Sequence, residues 1–404
     1  MYHYVLYILF TIIIIIIILI CGYIKIKHRF WAMQPVYHIY DFHYYLFPPG
    51  IINHDLPEKN RYCNFTNIEF ISYDKLSEIK MTHFQNIIQS HFLQNNENKY
   101  EPKKENITPY FTGHNINSFI SLYYEDELLT DLKKGTVDTV VQKLIGVMTT
   151  RPLHVTINNG GKNAFFDCNY VDHLCVNRMW RGKGIAQQII QTHHYNTRHK
   201  LKQIQVSLFK REGELTGIVP LTVYDTYGFN MAGWIEPQEL LANEASLVEC
   251  GTTNMQHLID FMKDSKNRFD ICIVPEISNI LELIKTKNIY VYMVIQDQEI
   301  ISAFFFRKTC TYITDGCEAL CCFASINGSK NNSLFIHSYK LALFQICKAH
   351  KSFKYAILEN ISDNKMIIEN LLIKSKPVLV NPTAYFFYNF AYPTFNHERV
   401  FIIN

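Results

Sequence analysis

The stretch from Tyr170 to Ile190 constrains this chain more than any other. Tyr170 to Val176 is β-branched and aromatic, with apolar residues on both faces, as expected of a strand buried on both sides. Arg181, Gly182, Lys183 and Gly184 then make a turn of two glycines and two cations. From Ile185 to His199 the apolar residues Ile185, Ala186, Ile189 and Ile190 fall at helical spacing. The expectation is strand, turn, helix. A glycine-rich turn feeding a helix N-terminus can hold an anion, because the first helical N–H groups lack partners and the helix dipole adds positive charge. The same residues serve equally well as an ordinary basic strand-to-helix turn.

With 404 residues the chain can build two domains or one large one. It is 48% hydrophobic and 14% aromatic, so a sizeable core is expected and wholesale disorder is not. A net charge of +3 gives no sign of a nucleic-acid partner. The eleven cysteines are odd in number and irregularly spaced, which favours reduced thiols over a disulfide framework.

Residues 1–24 contain no Lys, Arg, Asp or Glu, and Ile12 to Ile18 is an unbroken isoleucine run. About 20 such residues span a bilayer core at ~1.5 Å each. No charged n-region or small-residue cleavage site is evident, so a retained transmembrane anchor over residues 4–24 is expected rather than a signal peptide. Lys25, Lys27 and Arg29 follow at once, which places residues 25–404 in the cytoplasm by the positive-inside rule. The sequons at Asn64, Asn106, Asn327, Asn331 and Asn360 would then go unused.

Beyond the anchor, Asp74 to Phe92 reads as an amphipathic helix and residues 94–109 as a polar loop. Residues 143–150 and 153–157 read as two strands, and Asn158, Asn159, Gly160 and Gly161 as a hairpin turn. Further strands are expected at 202–208, 289–295, 300–306, 355–358 and 384–390, with helices at 254–263, 277–285 and 333–350. The second half thus repeats the first loosely, with a boundary near Gly233. The last residues, Arg399 to Asn404, are apolar almost to the end, where termini are usually polar and frayed. They fit a last packed strand, or a terminal carboxylate held inside the protein.

Three pieces, in order, resemble the glycylpeptide N-myristoyltransferases. The turn itself, Arg181-x-x-Gly184-x-Ala186, is similar to the pyrophosphate loop of GNAT acyl-CoA transferases, as is the order of elements around it. Phe30-Trp31-x-x-Gln34-Pro35-Val36 resembles the myristoyltransferase motif Phe-Trp-x-Thr-Gln-Pro-Val. Leu174-Cys175-Val176 with Arg181, Lys183, Ile185 and Ala186 resembles its Phe-Leu-Cys-Val and Arg-Ser-Lys-Arg-Leu-Ala core. Tyr385 to Phe390 resembles its Tyr-Tyr-Leu-Tyr-Asn-Trp segment, which lies a similar distance from the chain end. The chain departs from the family at His173 (Phe), Met33 (Thr) and Gly184 (a basic residue), and Tyr224 to Tyr227 lacks the family's His.

This resemblance implies an α+β fold of two GNAT-like halves around a mixed, saddle-shaped β-sheet. The N-terminal half would cover residues 28–233 and bind acyl-CoA. The C-terminal half, residues 234–404, would bind peptide, and residues 1–27 would be anchor and basic flank. Arg29, Phe30 and Trp31 would cover the CoA end, and Leu174, Cys175, Val176, Arg181, Gly182, Lys183, Gly184, Ile185 and Ala186 would hold the acyl-CoA. The backbone N–H groups of His173 and Leu174 would form an oxyanion hole, which requires a bulge to free them from the ladder. The C-terminal carboxylate of Asn404 would take the proton of an N-terminal glycine ammonium. Myristoyl-CoA would be the co-substrate, with no permanent cofactor, no metal, no nucleic acid and a monomeric enzyme.

Two other readings of the same residues stay open. One is a GNAT enzyme acting on another amine, the other a non-catalytic acyl-CoA or lipid binder. Cys310, Cys317, Cys321 and Cys322 with His337 match no zinc spacing. His193, His194 and His199 are expected on a solvent face, and Cys175 in the core.

Overall fold

A computed structural model describes residues 2–93, 98–131, 136–159, 162–213, 217–239 and 245–404. The expected hairpin glycines Gly160 and Gly161, and part of the polar loop, lie outside them. A single apolar helix, Tyr2–Lys27, leads the chain; its apolar span is exposed, and only its C-terminal end touches the rest of the fold. Among the described residues, fifteen strands join in one mixed sheet.

The sheet is built twice on one plan. Strand Lys162–Val176 runs parallel to Val206–Glu212, and helix Ile185–Lys200 crosses between them. Strand Cys317–Asn327 runs parallel to Phe353–Glu359, and helix Asn332–Ala349 crosses between them. Parallel neighbours need such crossovers, since a tight turn can only reverse a strand. Antiparallel hairpins extend each unit outward. Strands Thr222–Asn230 and Leu379–Tyr388 join the two units, so the sheet runs unbroken from one to the other.

Residues 143–150 and 153–157 belong to one strand, Thr136–Asn159, and not to two. Its partner on one side changes, from Phe119–Asp131 as far as Thr150 to Ile271–Val274 from His154. Pro152, which has no N–H to give a ladder, sits in the gap between them and still faces Asn169 on the other side. The segment read as 202–208 starts late, at Val206, and extends to Glu212.

The two crossover helices cover apolar faces of the sheet. Phe335, Tyr339, Ala342, Leu343 and Ile346 pack on Phe304 and Phe306 in one lobe. Ile185 and Ile189 pack on Tyr123, Ile145 and Met148 in the other. Gly146 lets the second helix come down close, because a Cβ there would stand 2.6 Å from Ile189 Cδ1. Helix Glu78–His91, capped by the Ser77 side chain, buries Met81, Phe84, Ile87 and Ile88. The final strand Val400–Ile402 pairs parallel with Ile271–Val274, and burial continues through Ile403 to Asn404. All eleven cysteines are free thiols.

Candidate acyl-CoA site

The opening strand ends at Val176, a short 3-10 turn follows, and the helix begins at Ile185. Gly182 and Gly184 both adopt positive φ, 79° and 78°, which an L side chain rarely accepts. No side chain caps the helix, so its first N–H groups face outward. A cavity of about 470 Å³ opens there, bordered by Cys175, Val176, Arg181, Gly182, Gly184 and Ile185. Arg181 braces the turn: Nε donates to Val176 O at 3.1 Å and Nη2 to His91 O at 2.6 Å. Lys183 lies outside this wall, its Nζ 4.1 Å from the centre of the Trp180 ring.

One turn earlier the strand carries the bulge that freed amides require. Met148 faces Leu174 and Thr150 faces Val171, so Thr149 alone opposes both Asp172 and His173. His173 N–H donates to Thr149 Oγ1 at 3.1 Å, and the same hydroxyl is 3.1 Å from His173 Nδ1. Burial keeps the His173 imidazole below its usual pKa and therefore neutral, with Phe84 and Phe92 against its ring. Arg151 Nε, from the neighbouring strand, holds the Asp172 carboxylate at 2.7 Å. The Arg151 guanidinium is fully buried between the rings of Tyr110 and Tyr170, at 5.4 and 5.2 Å.

A larger cavity of about 1430 Å³ brings most of the remaining expected residues together. Arg29, Phe30 and Trp31 line it, as do His173, Leu174, Ala186 and Asn404. Leu174 and Ala186 border both cavities, which therefore adjoin. Trp31 stacks on Phe209 at 5.7 Å and meets the Phe30 edge at 5.2 Å. Cys175 turns away from the large cavity into the core, and burial pushes its thiol up to about 12.

The floor of this cavity holds a charged cluster that motif reading missed. Glu359, almost fully buried, takes Lys210 Nζ and Arg307 Nη2 on one oxygen, each at 2.9 Å, and the Tyr224 hydroxyl on the other at 2.6 Å. Burial alone would raise the Glu359 pKa; Lys210 and Arg307 outweigh it and hold the carboxyl below its usual value. Arg307 Nη1 also donates to the main-chain oxygen of Asn404 at 3.0 Å, and Asn404 Nδ2 donates to Tyr170 Oη at 2.6 Å. Two isolated cations and a Glu carry no spacing signal, because these partners come from four separate strands.

The helix histidines correct the sequence reading. His193 is buried, bridging Ser121 Oγ and Thr150 Oγ1 at 2.8 Å each, and its pKa falls to about 3 through burial. His194 packs edge-on to Tyr388 at 4.7 Å, and His199 Nδ1 donates to Tyr195 O at 2.8 Å. Among the described residues no group of His, Cys, Asp and Glu is placed to hold a metal.

No protein-family profile and no curated protein sequence matches this chain. Solved structures do. Saccharomyces cerevisiae N-myristoyltransferase with bound myristoyl-CoA superposes with a TM-score of 0.73, covering 93% of this chain and 99% of the yeast chain at 13% identity. The fold is that of N-myristoyltransferase. The same yeast enzyme with bound myristoyl-CoA and inhibitors gives 0.70 at 13% identity, covering 93% of each chain. A tandem GNAT protein from the clavulanic acid biosynthesis pathway gives 0.53 at 10% identity, covering 81% of this chain and 100% of its own. The N-myristoyltransferase fold therefore accounts for nearly the whole chain, and its GNAT-like doubling for the repeated strand–helix–strand unit.

Proposed function

We propose that this protein transfers a fatty acyl group from acyl-CoA, myristoyl-CoA above all, to the N-terminal amine of a glycine-starting protein or peptide. The observation that carries this reading is the shared cavity. It joins Arg29, Phe30 and Trp31, the bulge at His173 and Leu174, and Asn404, in a fold whose yeast neighbours hold myristoyl-CoA. In this reading residues 28–233 hold the acyl-CoA and residues 234–404 supply the acceptor side. CoA phosphates meet the helix N-terminus at Gly182 to Ala186. The apolar Tyr2–Lys27 helix anchors the enzyme, with the remainder on the cytoplasmic side of the membrane.

The chemistry needs no nucleophilic side chain. The terminal carboxylate of Asn404 accepts a proton from the incoming ammonium, and the free amine attacks the thioester carbon. Negative charge collects on the thioester oxygen, which takes hydrogen bonds from the His173 and Leu174 amides. The tetrahedral intermediate then collapses, the C–S bond breaks, and the sulfur takes up the proton that the attacking nitrogen gives up, so that the products are the amide and the CoA thiol. For this, the His173 N–H exchanges the Thr149 hydroxyl for the oxyanion. Arg307 holds the Asn404 main-chain oxygen in place, and Glu359 offsets its charge.

Incubation with myristoyl-CoA and a set of glycine-starting peptides tests the reading by mass spectrometry. The expected product carries a tetradecanoyl group on its N-terminal amine, with one CoA thiol released per product. Deleting Ile403 and Asn404 is expected to abolish turnover while acyl-CoA binding survives; full turnover without them overturns the mechanism. A second reading, transfer of a shorter acyl group to another amine, draws on Gly184 and the tandem GNAT neighbour. Saturation by acetyl-CoA at lower concentration than by myristoyl-CoA would favour it.

A further inference from the structure

The apolar helix does not stand apart from the catalytic cavity. Its last residues, Ile26 and Lys27, line that cavity together with His28 and Arg29. Immediately downstream the chain folds back beside the helix end. Ile24 packs so closely on Gly217 that a Cβ there would lie 2.5 Å from its Cγ2. Ile39 N–H donates to Gly217 O at 3.1 Å, and Lys25 Nζ sits 4.7 Å over the Tyr40 ring. The short helix Phe42–Leu46 is then fixed by Tyr37, whose ring meets Tyr44 and Tyr45 at 5.7 and 5.1 Å.

This fold-back leaves large apolar side chains in the open, a few residues beyond the point where Tyr40 meets the end of the helix. Phe42 is 60% exposed, Tyr45 52%, Leu46 76% and Phe47 65%. Four adjacent exposed side chains of this size are unusual on a soluble surface. Lys25, Lys27 and Arg29, all exposed, flank them. Aromatic and apolar residues beside cations, at the end of a spanning helix, match the headgroup layer of a membrane.

We propose that the face formed by Phe42, Tyr45, Leu46 and Phe47 docks into the headgroup–acyl boundary of the bilayer that the N-terminal helix enters. The cavity end lined by Ile26 to Arg29 then opens at the membrane surface. An amphiphilic donor with a long acyl chain partitions into that same boundary, so it reaches the cavity from the membrane and not from bulk water. The proposal rests on the reading of Tyr2–Lys27 as a membrane span, but not on the acyl-transfer chemistry.

The test uses the full chain reconstituted in phosphatidylcholine vesicles with a minor share of phosphatidylserine. The vesicles carry a phosphatidylcholine with a diazirine near the glycerol end of one acyl chain. After illumination and digestion, mass spectrometry is expected to find lipid adducts both within residues 4–24 and at residues 42–47. In the variant Leu46→Asp with Phe47→Asp, whose sites are exposed, the adducts at 42–47 should fall several-fold while those on the helix persist. Adducts confined to the helix overturn the docking face. Adducts at neither place overturn the docking face and the span together. Neither result bears on transfer activity, which is measured separately by the peptide assay.

Discussion

His193 illustrates what a single residue can hide. On the sequence it is one of three histidines on a polar helix. In the fold it is buried, with Ser121 and Thr150 taking both ring nitrogens. Helical spacing cannot reveal this, because both hydroxyls arrive from other strands. Its consequence is a pH dependence with a definite sign. The folded pKa, about 3, lies below the unfolded value of about 6.5, so the unfolded chain binds the proton more readily in that window. The full contribution is present above about pH 6.5 and is lost as pH falls toward 3, by up to ~1.4 kcal/mol per pH unit for one such group. Thermal melts should therefore be flat near pH 7 and decline below about pH 6.5. In His193→Gln that decline should be shallower, although the variant is less stable at pH 7. An unchanged slope would mean that other groups set the acid limit. The role proposed for His173 needs only its backbone beside a bulge, and the register has a bulge at that point.

At the scale of elements, the strand–turn–helix around Gly182 was legible because three signals agree there. A two-sided apolar strand ends, glycines interrupt, and a helical period begins. The neighbouring strand was less legible. Arg151 and Pro152 look like a break, and only the change of partners across the sheet explains why the strand continues. The turn also makes a sharp demand on Gly184, whose φ of 78° is set by the way the helix starts. A Cβ there meets nothing closer than Gln187 Oε1 at 3.7 Å, so the cost of a side chain is conformational and not steric crowding. Gly184→Ala should lose about 1–2 kcal/mol in chemical denaturation, whereas Gly184→Asn, which tolerates this conformation better, should lose less. Acyl-CoA affinity measured by calorimetry should fall in the same order. Equal stability in all three proteins would show that the turn relaxes freely.

The whole molecule is tied together where no motif pointed. Glu359 lies on one strand, Lys210, Tyr224 and Arg307 on three others, and Arg307 reaches on to Asn404 at the chain end. These positions are 52 to 149 residues from Glu359, a separation at which sequence pattern carries no pairing information. The cluster sits beneath the cavity, so it links the integrity of the fold to the placement of Asn404. Removing the Glu359 charge leaves two largely buried cations facing each other with their shared partner gone. Breaking a buried ion pair from one side typically costs about 3–5 kcal/mol, because the remaining charge stays desolvated. Glu359→Gln should show a loss of that order in urea unfolding, while its amide oxygen can still accept from Tyr224. Adding Lys210→Met to Glu359→Gln removes one of the stranded cations and should recover part of the loss. That recovery measures the charge imbalance separately from packing. If the double variant is no more stable than Glu359→Gln alone, Lys210 and Glu359 do not balance each other, and the cluster is held by its hydrogen bonds to Tyr224 and Arg307.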